Sequence, residues 1–205
     1  MKAISIQKAM CFLGTGIILL SCTKSSTNAY DDPSDPELAI FSNTGNNILS
    51  CMVNDKPWRT LDRKIYLLSR PSYEVTIQLL KTSTAKDSLW FSWNGYYNNE
   101  ISNQGNLNMV LPVTKNFGYK DLSNLMKQRL HLDSNNGYFL LSVNGLISNI
   151  VKGSGNIYFH TMMIDSVGPN NYSGRMSGLL DADFNTVKIT QGRFDHTLNQ
   201  LQISF

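Results

Sequence analysis

A chain of 205 residues, 41% of them hydrophobic, has the apolar content for one ordinary domain with a substantial core. It carries 18 basic and 15 acidic residues, and Lys2 and Lys8 lie in a leader expected to be removed; the remaining 16 against 15 gives no reason to expect nucleic acid as a partner. Three cysteines, Cys11, Cys22 and Cys51, exclude a disulfide framework, since Cys11 falls in the leader and Cys22 has another fate.

Lys2 and Lys8 form a positive n-region, and residues 9–20 run for twelve positions without a charge. A membrane-spanning helix needs about 20 apolar residues, so this run is too short to cross. It ends in Leu19-Leu20-Ser21-Cys22, which is similar to the lipobox of bacterial lipoproteins. The lipid is attached there through sulfur, which is why a cysteine is obligatory, and small Ser21 suits a peptidase pocket. An ordinary secretory signal is the other reading, but an Ala-x-Ala site is missing and a polar tail begins directly after Cys22. The expectation is a signal peptide over 1–21 and lipidation of Cys22, anchoring the protein to a membrane.

Residues 22–47 read as a flexible tether. Thr23 to Asn28 is small and polar, and Asp31-Asp32-Pro33-Ser34-Asp35-Pro36-Glu37 is acidic and broken by prolines. Leu38-Ala39-Ile40-Phe41 is its one apolar patch, suited to docking on a domain. From Ile48 to the C-terminus a β-rich domain (48–205) is expected, because the hydrophobic period becomes two. Tyr73, Val75, Ile77 and Leu79 alternate with Glu74, Thr76 and Gln78. Leu89, Phe91 and Trp93 alternate with Ser88, Trp90 and Ser92. Phe139, Leu141 and Val143 form another face, and Ile157, Phe159, Thr161 and Met163 oppose Tyr158, His160, Met162 and Ile164. Tyr172, Gly174, Met176, Gly178, Leu180, Ala182 and Phe184 oppose Ser173, Arg175, Ser177, Asp181 and Asp183. Asn pairs at 46–47, 98–99, 135–136 and 170–171 mark turns. Leu122, Leu125, Met126, Arg129 and Leu130 instead follow helical spacing, with Asp121 as N-cap, and predict one helix over 121–131. Short strands without helical crossovers predict an all-β fold, an antiparallel β-sandwich or, as the alternative, a β-barrel.

Val53-Asn54-Asp55-Lys56-Pro57-Trp58 reads as a tight hairpin, and Ser177 to Phe184 with Val187 to Asp195 as a second. Together with the lipobox and tether, these resemble a group of uncharacterised Bacteroidota lipoproteins. That group carries a Val-Asn-Gly-Lys-x-Trp hairpin early and an Ile-Thr-x-Gly-x-Phe strand late; here Asp55 stands in place of the glycine. The resemblance implies an outer-membrane setting and supplies no activity.

Trp90, Trp93, Tyr96 and Tyr97 cluster in one stretch. On a strand, Trp90 shares a face with Ser88, Ser92 and Asn94. A flat indole among small polar groups suits stacking on a sugar ring, with the Asn amide available for hydroxyls; the alternative is a strand residue covered by a neighbouring loop. Trp90, Asn94, Tyr96 and Tyr97 are the candidate ligand-binding residues, and Trp93 is assigned to the core. His131, His160 and His196 have no metal-ligand spacing, so no metal site and no cofactor is expected. Asp181-Ala182-Asp183 opens like a calcium loop but lacks its glycine and glutamate. No Gly-x-Ser-x-Gly elbow or phosphate loop is present, so no catalytic residue is assigned. Cys51, in an apolar run, reads as a buried structural thiol. Asp87-Ser88-Leu89 and Asp165-Ser166-Val167 resemble O-glycosylation sites of Bacteroidota. The expected function is that of a lipid-anchored, non-enzymatic binding module of the cell envelope, with a glycan or envelope protein as ligand. The alternative is a structural accessory lipoprotein of an outer-membrane complex.

Overall fold

The computed structural model describes residues 31–60, 74–144, 146–147, 149–168 and 171–205. The leader, Cys22, residues 22–30, Tyr73 and Asn170 lie outside the described residues. The strands are β1 (Asp31–Asp32), β2 (Asp35–Ala39), β3 (Ile48–Val53), β4 (Lys56–Thr60), β5 (Val75–Leu80), β6 (Asp87–Tyr97) and β7 (Glu100–Val113). They continue with β8 (Arg129–Leu132), β9 (Tyr138–Val143), β10 (Val151–Gly168), β11 (Asn171–Asp183), β12 (Lys188–Leu198) and β13 (Ile203–Ser204).

Eight of them close an antiparallel barrel in the order β6-β4-β3-β12-β11-β10-β9-β7, with β7 returning to β6. The fold is therefore the barrel and not the sandwich. Alternation alone does not separate the two, because each buries every second residue. Closure comes from long strands with two partners on one edge. β6 pairs with β4 at its Gly95–Tyr97 end and with β5 along Ser88–Trp93. β10 pairs with β9 at Val151–Gly153 and with β8 at Gly155–Tyr158. β13 adds to β5 in parallel.

The inward residues fill the barrel, as an eight-stranded barrel allows. Leu49, Cys51, Val53, Leu107, Met109, Leu141 and Ile157 are all buried. At the centre Phe91, Trp93, Phe159 and Phe194 pack ring against ring, with centroids 5.6 to 6.1 Å apart. Trp58 lies over Gly95, which faces Gly105 across β6 and β7; a side chain at Gly95 would collide with the indole. The early hairpin's tryptophan and a glycine pair thus form one packing unit.

Bulges re-aim two strands. Between Phe159 and Thr161 the β10–β11 register slips, so Met162 turns inward and Met163 stands half exposed. The face expected to carry Thr161 and Met163 inward is corrected accordingly. A second bulge at Gln191, whose φ is 54°, moves the inward positions of β12 from Ile189 to Gly192, Phe194, His196 and Leu198.

The helix expected over 121–131 is a 3-10 helix at Tyr119–Leu125, and residues 129–132 are strand. Asp121 sits three positions inside the helix, not at the N-cap, and its carboxylate accepts the Gly118 N–H at 2.8 Å. The chain turns at Lys127, φ 60°, whose N–H donates to Phe159 O, while Gln128 O accepts from Phe159 N. Pairing with an otherwise open edge of β10 outweighs helical periodicity there.

Residues 31–47 lie against the barrel, which differs from the flexible tether expected over 22–47. β1 and β2 pair with each other, and Leu38 and Ala39 are buried. Arg59 holds Asp31 at 2.8 Å and donates to the carbonyls of Glu37 and Pro36. Arg193 holds Asp32 and the Ala39 carbonyl. The Asp195 carboxylate accepts the Ser42 hydroxyl and the backbone N–H groups of Thr44, Gly45 and Asn46. Charge and backbone hydrogen bonds thus order a stretch that hydrophobicity alone would leave free.

Candidate functional site

The β6 stretch alternates across the barrel wall. Trp90, Asn94 and Tyr96 point outward and are half-buried, while Tyr97 turns into the core and is 8% exposed. Tyr97 is thus removed from the candidate surface. Trp90 stands in register between Gln78 and Val110, and Val110 in turn faces Tyr138. Val110 is only 3% exposed on this outer face, flanked by the Trp90 and Tyr138 rings. Lys152 lies 4.0 Å from the Tyr138 ring centroid, within cation–π range. Ser92 donates to Asn108, and Asn94 faces Asn106. Trp90 and Tyr96 are six residues apart along one strand, roughly 20 Å, so they do not converge on a single ring.

Concavity lies elsewhere, on the outer faces of β8, β10, β11 and β12. Arg129, Tyr158, Leu179 and Arg193 are successive register partners and form one row across the four strands. His131, Asn156 and Asp181 form the next row. Two adjoining hollows, about 300 and 420 Å³, share Asn156 and Asp181 as lining and make one trough. The Gln191 bulge lines it from β12, and Leu179 is 42% exposed on its floor. Rings continue from Tyr158 through His160 to Phe41 of the N-terminal segment, with centroids 6.5 and 5.8 Å apart.

The second row is a fixed polar chain. Asn156 Nδ2 donates to Asp181 Oδ1 at 3.0 Å, and Asn156 Oδ1 meets His131 Nδ1 at 2.9 Å. A carboxylate only accepts, so the amide nitrogen must face Asp181. The amide oxygen then faces His131, whose Nδ1 carries the hydrogen. In the neutral ring Nε2 is left as an acceptor.

Arg193 forms one end of the first row and is paired with Asp32. The Asp32 carboxyl is lowered to about 2, first by the hydroxyl and N–H of Ser34 and then by Arg193. Arg129, at the other end, has no ion-pair partner among the described residues. No group of three His, Cys, Asp or Glu among the described residues is placed to hold a metal ion. Burial drives the Cys51 thiol far up, which keeps it protonated and unreactive.

The outward direction of Tyr158, His160 and Asp181 is legible from alternation. Their meeting with Arg129 and His131 is not, because it depends on β8 being a strand. Of the two Asp-Ser sites, Asp87 is buried and paired with Lys115 at 2.6 Å, whereas Asp165 and Ser166 are exposed.

Comparison of the chain with protein-family models, curated proteins and solved structures finds no match.

Proposed function

We propose that the protein is a lipid-anchored binding module of the cell envelope that holds a glycan on its outer wall without turning it over. The observation that carries this reading is the trough. The barrel interior is filled by its own side chains, whereas the trough offers an aromatic and apolar floor beside fixed amide and carboxylate groups. That mixture suits a sugar, whose ring faces are apolar and whose edges are hydroxyls. Trp90 with its amide neighbours is a second, flatter platform. The lipobox-like Leu19-Leu20-Ser21-Cys22 and the resemblance to Bacteroidota lipoproteins support the anchor. Eight residues lie between Cys22 and Asp31, and the nine steps from one to the other, at about 3.6 Å each, keep the barrel within roughly 32 Å of the lipid.

A glycan array probed with wild type, Tyr158→Ala and Trp90→Ala is the test. Retention by wild type, with loss in Tyr158→Ala, supports the trough; loss only in Trp90→Ala moves the ligand to the β6 wall. No retention by folded wild type refutes the reading. Digestion of intact cells with a non-permeating protease, beside a periplasmic control, reports which way the domain faces.

One observation favours the accessory-lipoprotein alternative. Met163 and Val167, on the far end of β10, are 50% and 60% exposed, and a protein partner would cover them. Cross-linked partners that are lost in a Met163→Glu, Val167→Lys double variant would support that role.

A further inference from the structure

We infer that the trough selects a glycan bearing a carboxylate, a uronic or sialic acid type of sugar, with Arg129 receiving the acid group; this deepens the glycan reading and rests on it. The trough's hydrogen-bonding groups are unevenly distributed. Its middle row accepts: Asp181 keeps Oδ2 after Asn156 has taken Oδ1, and the uncharged form of His131 keeps Nε2. Groups of that kind want hydroxyl hydrogens. The ends of the neighbouring row only donate, and they differ in charge. Arg193 pairs its charge with Asp32 and holds the Ala39 carbonyl, both through Nη1, so its charge is already matched by the N-terminal segment. Arg129 is exposed, lines the hollow and has no acidic partner among the described residues.

Strands lie about 4.8 Å apart, so Arg129 and Arg193 are roughly 14 Å apart along the row, and the two rows are separated by about 7 Å. Those dimensions admit a short oligosaccharide lying on Tyr158 and Leu179. Its hydroxyls meet Asp181 and His131, and an acid group reaches Arg129. A guanidinium matches a carboxylate bidentately, which a lysine would not do. The charge of the partner is limited by Asp181 in the same trough: a singly charged carboxylate needs only Arg129, while a doubly charged phosphate would be opposed by the aspartate.

The test uses detergent-solubilised full-length protein and calorimetric titration with trigalacturonate, a hyaluronan tetrasaccharide and sialyllactose, each beside its methyl ester, with maltotriose as a neutral control. The expected result is binding of at least one acid, with its ester at least tenfold weaker. Arg129→Ala should bring acid and ester to the same affinity, with an unchanged circular dichroism spectrum. Equal affinity of acid and ester for wild type overturns the inference, as does an acid preference that survives in Arg129→Ala. Binding of maltotriose without any of the acids overturns it while leaving the glycan reading standing. Failure of every sugar to bind the folded protein removes both.

Discussion

His196 lies inside the barrel opposite Met176, fully buried, and neither ring nitrogen meets a hydrogen-bond partner among the described residues. Burial lowers its pKa from 6.5 to about 3. The folded ring therefore stays neutral down to about pH 3, while the unfolded chain takes up a proton near 6.5. Between those limits the unfolded state binds more protons, so stability falls as pH drops, by up to about 1.4 kcal/mol per unit. His196→Leu should flatten urea-melt stability between pH 6 and 4. It should also add about 1–3 kcal/mol at pH 7, by removing buried polar atoms without partners; a slope that survives the substitution would place its origin elsewhere. Asp32 acts lower, its contribution being complete above 3.8 and lost as pH falls through about 2. Asp195 is a different case, a 3% exposed carboxylate whose partners are the Ser42 hydroxyl and the backbone N–H groups of Thr44, Gly45 and Asn46. Asp195→Ala should cost about 3 kcal/mol, since it strands those donors. Hydrogen exchange at Thr44, Gly45 and Asn46 should rise by orders of magnitude, and unchanged protection would show that the segment is held by other means.

Short elements record how much local sequence decides. The β3–β4 hairpin was legible because its turn chemistry is local: Asn54 and Asp55 both adopt positive φ, 48° and 60°. Glycine tolerates that conformation better than aspartate, so Asp55→Gly should raise the denaturation midpoint, by about 0.5–1 kcal/mol in stability. The late hairpin was legible for the same reason, with Asn185 at φ 68° and its N–H on Asp183. The segment after Lys120 was not. Its leucines repeat at helical spacing, and only Leu122 is fully buried by the 3-10 helix. The strand that follows exists because β10 offers partners 23 to 29 residues downstream, a fact that no local window contains. Bulges are lost in the same way: Gln191 reads as one more polar residue until register shows two residues opposite one. Loss of the turn at Lys127 should therefore disturb the trough, because it releases Arg129 and His131 together. Lys127→Pro, which removes both the positive φ and the N–H to Phe159, should abolish ligand binding while the barrel's near-ultraviolet spectrum persists.

For the molecule as a whole, all-β character and the identity of most core residues followed from period-two alternation. Closure did not, because inside and outside read alike in a sandwich and a barrel. The trough was hidden for a related reason, since its residues come from four strands and are joined only by register. The join that makes the barrel also sets the order of events in folding. β3 pairs with β12 through Ile48 and Asp195, Leu49 and Phe194, Val53 and Ile189, so residues near the start of the domain wait for residues near its end. The Asp195 clamp on residues 42–46 waits with them. Contacts so distant along the chain carry a large loop-closure entropy and predict refolding in milliseconds to seconds, with little protection of β3 before β12 is present. A chain emerging from a ribosome or a translocation pore would accordingly hold no closed barrel until β12 had arrived, and would remain threadable up to that moment.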